Sequence, residues 1–115
     1  MNEPLAPRAT LDSLTRYYRD GYDAVRRHSP AAYVVMSNRL SGNKTELLPF
    51  AAGLQGAVID VHYYTVFNSM FSNFTVQQNI DFVRTNFSGE LAAVTTQNGP
   101  LTFVGKRGAP PDPSI

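Results

Sequence analysis

The chain has 115 residues, 43% hydrophobic and 17% charged, and ten Lys+Arg against nine Asp+Glu leave a net charge of +1. This composition excludes a low-hydrophobicity disordered protein, and without a basic block it excludes electrostatic capture of nucleic acid. No apolar run approaches the roughly 18 residues of a membrane-spanning helix, and the lack of cysteine removes disulfides, thiol catalysis and cysteine-based metal sites.

Residues 10–28 are predicted to form an amphipathic helix. Thr10 is a suitable N-cap, and Leu11, Leu14, Tyr18, Tyr22 and Val25 recur at spacings of three and four. Arg26-Arg27-His28 falls in the last turn, where the helix dipole favours cations, so it is read as a dipole partner rather than a binding patch. Pro30 stops the helix. Residues 32–36 are a short apolar run, predicted as a strand buried on both faces. Loop chemistry follows over 41–45, then a short helix over 46–52, limited by Pro49 and closed by Gly53.

Residues 57–61 are predicted as the second strand, followed by the polar cluster His62-Tyr63-Tyr64 and an aromatic-rich loop over 65–74. Thr75 and Gln78 form a capping box, which starts a helix carrying Val76, Ile80, Val83 and Phe87 at helical spacing. Ser88-Gly89 is expected to break it, with a further turn or two over 90–95. Asn98-Gly99-Pro100 reads as a turn, and residues 101–104 as a third strand ending at Gly105. From Lys106 onward the proline-rich composition predicts a disordered tail. The division expected is a partial barrel domain over 1–105 and a tail over 106–115.

Nearly all-apolar strands alternating with helices give the class: α/β with about three parallel strands. Three strands do not complete a (β/α)8 barrel or a doubly wound sheet, so a partial fold is expected. In such folds function gathers beyond the C-terminal ends of the strands. The residues that qualify are Asn2-Glu3, Ser37-Asn38, His62-Tyr63-Tyr64 and those after Val104. A carboxylate, a histidine and tyrosines on one rim are reagents for acid/base work on a polar, uncharged substrate. Each also has a structural role open to it: Glu3 as a polar terminus, His62 as a hydrogen-bonded structural histidine, the tyrosines as the end of a strand. No phosphate-cradling glycine loop or nucleophile elbow is present, and with only His28 and His62, on different elements, no metal site is expected.

Together, Asn2-Glu3-Pro4, residues 33–38, 58–64, 76–82 and 98–105 resemble, in order, the second half of a plant-type glycoside hydrolase family five enzyme, most closely its glucan exo-1,3-β-glucosidase branch. The resemblance implies a (β/α)8 TIM barrel. It implies Glu3 as general acid/base, Asn2 as hydrogen-bond partner of the sugar 2-hydroxyl, and His62 and Tyr64 as lining of the substrate pocket. No cofactor or metal is implied, and the substrate would be a β-glucan or glucoside. Where the family carries a Gly-Glu-Trp nucleophile motif, this chain has Gly105-Lys106-Arg107.

The expectation is therefore a fragment of a retaining glycosidase, inactive alone for want of its nucleophile; the alternative is a non-catalytic carbohydrate-binding or interaction protein. Neither nucleic acid nor membrane is an expected partner, while self-association through open sheet edges is. Three Asn-x-Ser/Thr triplets, at Asn43, Asn73 and Asn86, lean towards an extracellular or cell-wall parent. The first residues carry no signal peptide, which points to the cytoplasm for this chain. Gly105-Lys106 can be encoded by a splice-donor-like string, so the tail is expected to derive from a retained intron.

Overall fold

The computed structural model describes residues 1–64, 73–95 and 99–108. Its elements run α1 (Leu11–His28), β1 (Val34–Ser37), α2 (Leu48–Ala51), β2 (Ala57–Tyr64), α3 (Val76–Phe82), a π-helical turn (Val83–Phe87), α4 (Ser88–Val94) and β3 (Leu101–Gly108). The strands form one open parallel sheet in the order β1-β2-β3, so the chain is α/β with neighbouring strands in chain order.

α1 forms where its caps and stripe place it. The Thr10 hydroxyl accepts the Ser13 amide, an N-cap worth about 1 kcal/mol, and Arg26, Arg27 and His28 occupy the last turn. Leu14, Tyr18 and Tyr22 are buried against the sheet. The two tyrosines keep their hydroxyls paired, Tyr18 donating to the Ser37 carbonyl at 2.7 Å and Tyr22 to that of Gln55 at 2.8 Å. The turn before β2 requires Gly56, whose φ of 74° is left-handed and costly for a residue with a Cβ.

The two faces of the sheet differ. Alternation along β2 sends Ile59, Val61 and Tyr63 to one side, where they join Met36, Leu47, Ala51 and Val94 in the core beneath α1, α2 and α4. The other side carries Asp60, His62 and Tyr64 at its upper end, with Val35, Leu101 and Phe103 below them 52%, 63% and 43% exposed. The prediction that the first strand is buried on both faces is thus corrected. The described helices cover one face only, and an apolar run does not encode which face a second layer will cover.

Three further expectations change. No break occurs at Ser88-Gly89: the helix continues through the π-helical turn into α4. A mid-helix glycine costs only about 1 kcal/mol, and the extra residue of a π-turn rotates the helical face beyond it. Hence Val76 and Ile80 stay exposed, while Phe87, Leu91 and Val94 reach the core, with Phe87 stacked on Tyr63 at 4.6 Å. β2 includes His62-Tyr63-Tyr64. β3 runs past Gly105, pairing Lys106, Arg107 and Gly108 with those three residues. The expected tail beyond Gly108, the turn residue Asn98 and residues 65–72 of the expected aromatic-rich loop lie outside the described residues.

The segment before α1 runs beside the end of β1. Leu5 bridges Leu40 in parallel, and the Leu40 amide donates to the Pro4 carbonyl at 2.8 Å. Arg39 locks it there. Its guanidinium makes two bonds to Glu46, at 2.9 and 2.7 Å, and a third to the Ala9 carbonyl at 2.9 Å. The pair holds the Glu46 carboxyl below its ordinary range and raises Arg39 in turn.

One-sided burial makes a direct prediction. Ile59→Ala, at a fully buried site, should cost about 2–5 kcal/mol in urea unfolding. Val35→Ala, on the open face, should cost less than about 0.5 kcal/mol. Equal losses would contradict the asymmetry.

Candidate functional site

The site is assembled at a β-bulge. Along β2 and β3 the pairing runs Asp60↔Phe103 and Val61↔Val104, then jumps to His62↔Lys106, so Gly105 is the extra residue. Its amide, skipped by the ladder, donates to Asp60 Oδ1 at 2.9 Å. Only glycine fits: a Cβ at this position would meet the whole Asp60 carboxylate, 2.7 Å from Cγ and 2.8 Å from Oδ2. The bulge also decides which way Lys106 points. Strand side chains alternate, so the one-residue shift moves Lys106 from the face of Tyr63 to that of Asp60, His62 and Tyr64.

Asp60 then serves a second bond, its Oδ2 lying 3.0 Å from His62 Nε2. The other ring nitrogen, Nδ1, lies 2.8 Å from Glu3 Oε1, and the Tyr64 hydroxyl donates to the same oxygen. Lys106 Nζ is 3.5 Å from it and 5.4 Å from the centre of the Tyr64 ring. A histidine between two carboxylates satisfies both acceptors only when it carries two ring protons or when one carboxyl holds the missing proton.

The electrostatics follow from these contacts. The Tyr64 hydroxyl and then His62 hold the Glu3 carboxyl below its usual range against an opposing effect of burial, and the charge of the Lys106 ammonium adds a lesser contribution. Lys106 is raised, first by its hydrogen bond with Tyr64 and then by the charge of Glu3. Glu3 is thus held as a carboxylate, with an ammonium on the same rim.

Three of the four residues to which the resemblance assigns a role, Glu3, His62 and Tyr64, meet in this cluster. Asn2 does not join it: its side chain is exposed and makes no hydrogen bond among the described residues. Sequence reading missed Asp60, which looks like one polar letter in an apolar strand; its i, i+2 relation to His62 was the available signal. Ser37 and Asn38 serve the scaffold instead. The Ser37 carbonyl takes the Tyr18 hydroxyl, and Asn38 Nδ2 donates to the Lys44 carbonyl at 2.8 Å. Beside the cluster opens a cleft of about 630 Å³ lined by Leu5, Leu40, Ser41, Gly42, Lys44, His62 and Tyr64. Among the described residues no group of three or more histidines and carboxylates is placed to hold a metal ion, and no helix is long and apolar enough to cross a membrane.

Comparison with protein-family models, with curated proteins and with solved structures finds no match.

The Glu3 contacts are checked by carboxyl carbon NMR. A depressed carboxyl stabilises the docked N-terminal segment above the ordinary glutamate range and loses that contribution as pH falls through its lowered midpoint. The expected midpoint lies below that of an unstructured glutamate; Tyr64→Phe should raise it most and Lys106→Ala less. An ordinary midpoint, unmoved by both substitutions, would contradict the cluster.

Proposed function

We propose that the chain carries part of the catalytic rim of a retaining glycoside hydrolase of the (β/α)8 kind, resembling family five, and that it does not turn over substrate by itself. The observation that carries this reading is the meeting of Glu3, His62 and Tyr64, drawn from two separate motifs, at the C-terminal ends of parallel strands in chain order. That is where barrel enzymes place their chemistry.

Retaining hydrolysis takes two carboxyls about 5–5.5 Å apart, one to protonate the glycosidic oxygen and one to attack the anomeric carbon. Glu3 fits the first position, but its lowered pKa keeps the proton off at neutral pH. The second carboxylate of the cluster, Asp60, is turned away behind the His62 ring and committed to Gly105. Where resemblance places the nucleophile, Lys106 presents an ammonium, which cannot form a glycosyl ester. The substrate class is a β-glucan or β-glucoside of an extracellular parent activity.

The ion pair of Glu3 with Lys106 favours a second reading, binding without cleavage, in the cleft beside Tyr64. The open strand edges and the exposed Val35, Leu101 and Phe103 support self-association at high concentration.

Assays against β-1,3-glucan and aryl β-glucosides should give no hydrolysis above buffer. Turnover abolished by Glu3→Gln would overturn the claim of inactivity. Calorimetry with a gluco-oligosaccharide should detect binding that weakens about tenfold, some 1.4 kcal/mol, in Tyr64→Ala. Absence of binding would remove the carbohydrate-binding reading.

A further inference from the structure

The chain holds two lysines, Lys44 and Lys106, and they occupy opposite surroundings. Lys106 is exposed and ion-paired. Lys44 sits in the loop between β1 and α2 and is half-buried, its backbone anchored by Asn38. Its Nζ donates to the His62 carbonyl at 3.2 Å and lies 5.4 Å from the centre of the Tyr63 ring. No carboxylate lies within ion-pair distance of it among the described residues. Glu90 and Glu46 favour its ammonium form from farther away, but loss of hydration outweighs them and lowers its proton affinity. Glu46 is itself committed to Arg39. Lys44 lines the 630 Å³ cleft together with His62 and Tyr64, in the size range of small-molecule sites.

We propose that Lys44 is the amine of a carbonyl-binding site, condensing reversibly in this cleft with the free aldehyde of a small hydroxylated carbonyl compound such as an open-chain sugar. A neutral amine has two N–H bonds and one lone pair. One N–H stays on the His62 carbonyl while the lone pair attacks the carbonyl carbon. The N–C bond forms, the π pair of the carbonyl moves to oxygen, and that oxygen takes a proton lost by the nitrogen. The nitrogen lone pair of the carbinolamine then expels the hydroxyl, which takes a proton from solvent and departs as water, and the protonated imine left on Lys44 keeps its N–H on the His62 carbonyl, with no change of oxidation state. Neither Glu3 nor a nucleophilic carboxylate takes part, so the site stands apart from the hydrolytic reading.

The test uses the full chain with glycolaldehyde and cyanoborohydride at neutral pH. The hydride reduces any imine to a stable secondary amine, and peptide mass spectrometry locates it. The Lys44 adduct should form about tenfold faster than that of Lys106, whose ammonium is tied to Glu3. Its rate should saturate with aldehyde concentration, and Lys44→Arg should abolish the saturable phase. Equal or faster reaction at Lys106, or a rate at Lys44 that stays linear in aldehyde, would overturn the proposal. Both of these are read on the unsubstituted chain, so they decide the matter even if Lys44→Arg does not fold.

Discussion

One carboxylate fixes the upper end of the sheet. Asp60 receives the amide that the bulge at Gly105 leaves without a ladder partner, and with its other oxygen it holds His62. The bulge would otherwise leave this amide without a partner in the ladder. The same contact sets the register beyond it: with the bulge satisfied, Lys106 shares a face with His62 and Tyr64 rather than with the core residue Tyr63. Glu3 docks on the ring that Asp60 holds from its other side.

Charge at the rim is correspondingly divided. Glu3 and Lys106 stabilise each other's ionised forms at that end of the cluster. Lys44, on the cleft side of His62, meets the reverse condition: burial without a close counter-ion. Two amines of the same kind are driven apart in proton affinity by surroundings alone. The His62 backbone contacts one while its ring contacts the partner of the other.

Much of the scaffold was legible from residue chemistry. Thr10, the Leu14-Tyr18-Tyr22 stripe and the Thr75–Gln78 capping box all act where local hydrogen bonding and helical spacing place them. The parallel strands followed from apolar runs separated by helices. The features that escaped depended on contacts between distant segments. The bulge at Gly105 is invisible without Asp60, 45 residues earlier, whose carboxylate fills the place of a Cβ. The π-helical turn has no local marker, yet it decides that Phe87 rather than Ile80 faces the sheet. Glu3, His62 and Tyr64 were picked out by resemblance; their hydrogen bonds are a matter of tertiary geometry that no spacing encodes.

The most direct measurement is native-state amide hydrogen exchange at Gly105. With its N–H held by Asp60, this amide should be protected to the level of its β3 neighbour Val104. Asp60→Ala should remove that protection while leaving the amides of Ile59 and Val61 slow. Rapid exchange of the Gly105 amide in the unsubstituted chain would contradict the bridge on which the whole cluster stands.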